Sequence, residues 1–363
     1  MRILLAYPGH GFSTIDVASG YAKGLRDLGH EVFEFNYHLK LAFFQEGLRR
    51  WAKLFPDDFS RTEDDWVILA SEALFIEVFD VVPDVVIIIC GLALHRRVYD
   101  MIEKLGIPKV LILTESPYAD DDQSLIIEKG SIAAAFTNDR ASVKKLRKDT
   151  GVRVEYLPHS WNPGTHFERG MPDGKYLSDV FFFGTLWPER KELFSGLGTF
   201  EKDGPNIERL HSNNGIAVNV AGVEPIRNGK VEGFIHNAEM AWYYAGTKIA
   251  INHNRTVMGE DEDGKPLHVK RGQAWSLGPR AFEISACGTF QLSDGKRPEL
   301  KKVFGRTVPT YKDSKDLAAK VRYYLDRPDE RLDMSIQASK KIQYCRFEDR
   351  AREILIPTIM EVI

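Results

Sequence analysis

The sequence predicts an α/β protein made of two doubly wound, Rossmann-like domains, and three observations carry that expectation. The chain opens with a strand, loop, helix, strand order: Ile3 to Tyr7 is a short apolar run, a helical pattern follows from about Asp16 to Leu28, and Glu31 to Phe35 is strand-like. Val85 to Cys90 is a near-continuous β-branched run, as a strand buried on both faces of a parallel sheet requires. The same alternation starts again near Val180, after a loose linker holding Asn162, Pro163, Gly164, Gly170, Pro172 and Gly174.

In the first domain, the loop Pro8 to Thr14 lies at the carboxyl end of the first strand, where open α/β sheets bind ligands. It lacks Gly-x-Gly-x-x-Gly spacing, which disfavours a dinucleotide. His10, Gly11, Ser13 and Thr14 are candidates for contact with a phosphate, donor or acceptor, against the plainer reading of a tight turn. Gly29 closes the first helix. Between His38 and Phe55, Leu41, Phe44, Leu48, Trp51 and Phe55 recur at helical spacing, with Arg49, Arg50 and Lys53 on another face. A core-packed helix with a solvated side is the plain expectation; a membrane surface or a polyanionic acceptor is the alternative. A helix around Leu94 to Leu105 precedes a strand from Lys109 to Leu113, which ends in Thr114-Glu-Ser-Pro-Tyr118. Ala133 to Phe136 is a further strand, ending in Thr137-Asn-Asp139. Glu115, at such a strand end, is either an active-site carboxylate or the holder of a loop. Arg153 to Leu157 and the turn Pro158 to Gly164 lead out of the domain, and His159 there reads as a structural histidine.

The second domain reads as a strand near Val180, a helix from about Arg190, a strand Ala217 to Ala221, a helix near Ala238 to Ala245 and a strand Ile249 to Asn252. Gly184-Thr-Leu-Trp-Pro-Glu-Arg190-Lys191 sits where strand gives way to helix. Cations at a helix start are unfavourable without an anion nearby, so Arg190 and Lys191 suggest a phosphate. Asn252, His253 and Asn254 end their strand as either ligand contacts or turn formers. The organising stretch is Ser276-Leu-Gly-Pro-Arg-Ala-Phe-Glu-Ile-Ser-Ala-Cys-Gly-Thr-Phe-Gln-Leu-Ser-Asp294. Pro279 suits the first helical position and Gly288 the position past the end, giving a helix of at most three turns. Its free N–H groups, opened by Gly278, form an anion site, Arg280 adds a charge, and Glu283 lies on the same face within reach of sugar hydroxyls. Strands Thr289 to Leu292 and near Thr307 to Thr310, then helices Asp313 to Arg327, Asp329 to Ile342 and from Phe347, complete the chain.

This stretch, together with Asp179 to Lys191, Thr247 to Asn254 and Tyr156 to Pro163, resembles in order the GT-B glycosyltransferases of group 1 that include the spore-maturation CgeB-like proteins. The resemblance implies domains of residues 1–170, on the acceptor side, and 171–345, on the donor side, facing each other across a cleft, with 346–363 crossing back to the first. It implies transfer of a sugar, with retention, from a nucleoside-diphosphate sugar, expected to be a UDP-sugar, to a hydroxyl. The donor contacts would be Gly11, Gly184, Thr185, Arg190, Lys191, Asn252, Asn254, Arg280 and Glu283. Ser13, Thr14 and Tyr118 would stand on the acceptor side, with His10 and Glu115 as catalytic candidates; Glu115 would be the base if the enzyme inverts. The family pattern Glu-x7-Glu is matched only by its second acid, Glu283, because Trp275 stands at the first. A silent nucleotide-sugar binder or an epimerase of the same fold are the rival readings. The acceptor stays open among a small metabolite, a protein, a glycan and a hydroxymethylated DNA base; DNA would need Arg49, Arg50, Lys53, Lys144, Lys145 and Arg147 on one face.

Composition bounds the alternatives. In 363 residues the formal net charge is −3, which offers no global attraction to nucleic acid or an anionic membrane. Three scattered cysteines fit neither a zinc nor a redox motif and suit a reducing cytoplasm. No signal-peptide pattern opens the chain, and the apolar run Val81 to Leu94 is broken by Pro83 and Asp84, so stable membrane insertion is not expected. The acidic runs Asp120 to Asp122 and Glu260 to Asp263 are expected as solvated loops, with no required metal or cofactor beyond the sugar-nucleotide co-substrate.

Overall fold

The structure, a computed structural model, describes residues 1–9, 14–58, 60–114, 118–170, 172–184, 188–195, 197, 199–202, 207–211, 217–221, 237–260, 266–268 and 274–363. The chain divides into two compact units, Met1–Pro158 with Phe347–Ile363, and His159–Arg346.

The first unit alternates strands and helices: β1 (Arg2–Tyr7), α1 (Thr14–Asp27), β2 (Glu31–Asn36), α2 (Tyr37–Leu54), α3 (Glu63–Val81), β3 (Val85–Ile89), α4 (Arg96–Glu103), β4 (Lys109–Leu113), α5 (Asp120–Ile127), β5 (Ala134–Thr137), α6 (Val143–Thr150) and β6 (Val154–Tyr156). All six strands are parallel, in the order β2-β1-β3-β4-β5-β6. Successive residues of one strand serve opposite layers. Leu4, Ala6, Val86 and Ile88 enter one core, and Ile3, Leu5, Val85, Ile87 and Ile89 the other. That double burial is why β3 shows no polar alternation.

The second unit runs β7 (Ser178–Phe183), α7 (Pro188–Ser195), β8 (Thr199–Lys202), β9 (Ile207–His211), β10 (Ala217–Ala221), α8 (Asn237–Gly246), β11 (Thr247–Asn252), β12 (Val257–Glu260), β13 (Pro266–His268), α9 (Pro279–Ala286), β14 (Gln291–Asp294), α10 (Pro298–Phe304), β15 (Thr310–Tyr311), α11 (Ser314–Leu325) and α12 (Pro328–Lys341). Its main sheet is ordered β15-β14-β11-β7-β10-β9-β8, with β9 antiparallel to both neighbours, while β12 and β13 form a separate pair. Here too alternate residues separate: Val180 and Phe182 pack in one layer, Phe181 in the other with Tyr243 and Tyr244.

The C-terminal segment, α13 (Phe347–Arg350), a π-helical turn and α14 (Ile356–Met360), packs on the first unit. Phe347, Ala351, Leu355 and Ile359 recur every four residues and enter the core beside α1. Gly20 makes this approach possible, since a Cβ there would lie 2.1 Å from the Phe347 ring.

Several elements differ from expectation. Asp120 to Asp122 is the first turn of α5 rather than a loop, because carboxylates are favoured at a helix N-terminus. Asp120 is buried and accepts from Ser142 Oγ at 2.8 Å, while Asp121 pairs with Lys145 at 2.9 Å. Asp261 to Asp263 of the other acidic run lie outside the described residues. The late strand is only Thr310–Tyr311, because pairing with β14 reaches just Ser293 and Asp294. In α2, Leu48 is buried as its spacing predicts, but Trp51, and Phe55 just past the helix end, are exposed.

Candidate functional site

In the second unit β7, β11 and β14 are parallel neighbours, so their carboxyl ends lie along one edge. Gly184 follows β7, His253 and Asn254 follow β11, and Asp294 ends β14. Helices α7 and α9 begin on that edge because each lies in a connection between parallel strands.

Two guanidinium groups meet there. Arg190, in the first turn of α7, is buried and donates through Nη2 to the His253 carbonyl at 3.1 Å. Arg280, in the first turn of α9, donates through Nη1 to the same carbonyl at 3.2 Å, and its Nε has no hydrogen-bond partner. Both cations lie over the Phe182 ring, at 5.3 and 5.0 Å from its centroid. Gly184 is the residue that gives them room. A Cβ built on it would stand 2.5 Å from Arg280 Nη2 and 3.1 Å from Arg190 Nη1, and its φ of +149 favours glycine independently. Two like charges held together at two helix N-termini, where the helix dipoles are also positive, are an arrangement chemically suited to an anion.

The carbonyl that both arginines share is fixed from behind. The Asp294 carboxylate accepts from the Asn254 backbone N–H and, at 3.2 Å, from its side-chain Nδ2. Asn254 Oδ1 in turn lies 3.5 Å from the Gly278 N–H that opens α9. The His253 ring shares a 2.9 Å hydrogen bond between Nδ1 and the Tyr311 hydroxyl, which donates to the Asn252 carbonyl at 3.3 Å. Asp294 Oδ2 lies 3.6 Å from that nitrogen, as an ion pair would require. Burial, and then Arg190, Lys296, Arg280 and Arg297, nevertheless hold the imidazole well below its ordinary pKa, so it stays neutral. Arg297 Nη2 donates to the Arg255 carbonyl at 2.6 Å, and buried Glu299 accepts the Leu277 N–H at 2.7 Å, which secures the loop before α9.

The expected donor residues thus separate into two groups. Gly184, Arg190 and Arg280 converge; Glu283, one turn beyond Arg280, is half-buried. Asn252 and Asn254 are buried and turned to internal work, Asn252 Nδ2 donating to Ser293 Oγ at 3.0 Å. Lys191 falls in α7 with its side chain not described, and Thr185 lies outside the described residues. In the first unit, Thr14 opens α1 with its Oγ1 buried and without a partner, and Tyr118 adopts a positive φ of 84. His10, Gly11, Ser13 and Glu115 lie outside the described residues. Trp275 is half-buried with the Lys302 ammonium 5.6 Å from its ring centroid. Sequence reasoning missed Asp294, Tyr311, Arg297 and Glu299; for Asp294, its place at the end of a predicted strand was the available signal.

With this geometry in place, the chain can be set beside known proteins. Residues 205–356 match the family described as Glycosyl transferase-like. The spore protein CgeB of Bacillus subtilis (strain 168) is 23% identical over 316 residues, covering 81% of this chain and 90% of CgeB. Among solved structures, sucrose-phosphate synthase from Thermosynechococcus elongatus superposes with a TM-score of 0.58 at 12% identity, covering 100% of both chains. The DNA-modifying enzyme β-glucosyltransferase, solved with and without its substrate uridine diphosphoglucose, gives 0.56 at 12% identity, covering 99% of this chain and 100% of that one. These structures define the fold as that of the GT-B glycosyltransferases, and residues 205–356 resemble a glycosyltransferase family. Within that class the chain is similar to CgeB over most of its length.

Proposed function

We propose that the chain transfers a sugar from a UDP-sugar to a hydroxyl acceptor, with the diphosphate seated between Arg190 and Arg280. The observation that carries this reading is the shared His253 carbonyl, which holds two guanidiniums side by side at two helix starts. When the bond from the anomeric carbon to the diphosphate breaks, negative charge grows on the leaving oxygen. Preorganised cations and N–H groups stabilise that charge without reorganising. Glu283, one turn further along α9, would accept hydrogen bonds from the ribose hydroxyls. UDP as the nucleotide is supported by the uridine diphosphoglucose of the structurally similar β-glucosyltransferase. The resemblance favours retention, in which the attacking hydroxyl and the leaving group share one face of the sugar. A protein, a glycan and a modified DNA base all present suitable hydroxyls. No metal enters this account, since the two arginines and the helix starts supply the positive charge.

The test is turnover of a panel of nucleoside-diphosphate sugars, following nucleoside-diphosphate release with and without acceptors that include hydroxymethylated DNA, and reading the product's anomeric configuration. Release that needs an acceptor supports a transferase. Nucleotide binding with no release under any condition would instead favour a silent binder, the reading that Trp275 at the first acid position of Glu-x7-Glu invites.

A further inference from the structure

The side of α2 that faces away from the first unit's core exposes large apolar side chains around the Glu46–Arg50 ion pair. Leu48 is buried and Leu41 and Phe44 are half-buried, which accounts for one face of the helix. A solvated helix should be polar on the other. Instead Leu39, Phe43 and Leu54 are 55%, 71% and 70% exposed, and their spacing of four and eleven residues sets them along one outer line with Arg50. Trp51 and Phe55 add exposures of 44% and 56% at the C-terminal end.

Cations surround this line. Lys40, Arg49, Arg50 and Lys53 are all exposed, and Glu46, paired with Arg50 at 2.7 Å, is the one acid in the helix. Four cations against one acid give α2 a local charge of +3 in a chain whose formal net charge is −3. An exposed apolar line flanked by lysine and arginine is the pattern of a helix that lies in the plane of a membrane surface.

We propose that α2 docks on an anionic lipid surface, with Leu39, Phe43 and Leu54 in the boundary between headgroups and acyl chains and the flanking cations on headgroup phosphates. The charge selects this occupant. A second copy of the chain would set the same four cations against themselves, and a nucleic acid would engage the cations while leaving Phe43 and Leu54 in water. The helix lies on the bilayer and does not cross it: among the described residues no helix is long and apolar enough to span. The proposal is independent of the donor site in the other unit.

Flotation of the full chain with phosphatidylcholine vesicles, with and without phosphatidylglycerol, tests it. The protein should float with the anionic vesicles only, and added salt should release it. Phe43→Ser with Leu54→Ser, at positions too exposed to carry the core, should lower the bound fraction by about tenfold, as should Lys40→Glu with Lys53→Glu. Circular dichroism of both double variants confirms that they fold. Equal binding to both vesicle types, unchanged binding by the folded variants, no binding at all, or a concentration-dependent dimer abolished by the Phe43 and Leu54 changes would each overturn the proposal.

Discussion

Arg190 and Arg280, ninety residues apart in the chain, donate to one acceptor, the carbonyl of His253, at 3.1 and 3.2 Å. That carbonyl carries only partial negative charge, and the proposed diphosphate would supply the full charges the two guanidiniums are suited to meet.

The first prediction concerns geometry rather than charge. Arg190→Lys and Arg280→Lys keep one positive charge each but lose the planar fork that spans the carbonyl and a phosphate together. Each should lower kcat by about a hundredfold, the scale of losing one preorganised donor, with little change in thermal stability. Steady-state kinetics beside a melting curve separates the two effects.

Gly184→Ala tests the crowding between those groups. The new methyl would stand 2.5 Å from Arg280 Nη2, so the guanidinium must leave its place. Nucleoside-diphosphate Kd should rise by about tenfold while the variant stays folded, because the backbone strain of alanine at this positive φ costs only about 1–3 kcal/mol. Calorimetric titration reads the first and urea unfolding the second.

Two buried histidines set a pH dependence. Burial, helped by Arg169, lowers His166 to about 4, and its ring nitrogens have no hydrogen-bond partners; His253 is held well below its ordinary value. In the unfolded chain both take a proton near 6.5. Below that pH the unfolded state binds more protons than the folded one, so stability is full above 6.5 and falls as pH drops, continuing to about 4 for His166. Urea midpoints should be lower at pH 5 than at pH 7, and His166→Leu should shrink the difference.

Phe347→Ala tests the docking of the C-terminal segment on the first unit. The ring is buried, packs edge-on against Tyr21 at 4.9 Å and fills the space left by Gly20. Its loss should cost about 3–5 kcal/mol of stability. A lowered melting temperature checks the estimate.

What could be read in advance follows from which forces are local. Helix α9 was legible because Pro279 and Gly288 mark its two ends chemically, and Gly288 does take a positive φ of 74. β3 was legible because burial on both faces leaves a continuous apolar run. Helix α3 was missed, although Thr62 and Asp65 form a capping box at its start, because its apolar residues spread around the helix instead of forming a stripe. The hairpin-like β8 and β9 were missed because their antiparallel pairing departs from the expected alternation.

The site divides in the same way. Arg190 and Arg280 stood out as cations at helix starts, which local electrostatics makes unusual. Nothing local indicates that Asn252 and Asn254 would be occupied by Ser293 and Asp294, about forty residues away, or that Tyr311 would orient His253. Those bonds exist only once parallel strands bring their ends together.

The most direct test of the central claim is calorimetric titration of UDP into the wild-type chain, Arg190→Ala and Arg280→Ala at fixed low salt. The account predicts saturable binding by the wild type that each substitution weakens by about tenfold or more, with folding intact. UDP binding that survives both substitutions unchanged, or a folded wild type that binds no nucleoside diphosphate, would contradict it.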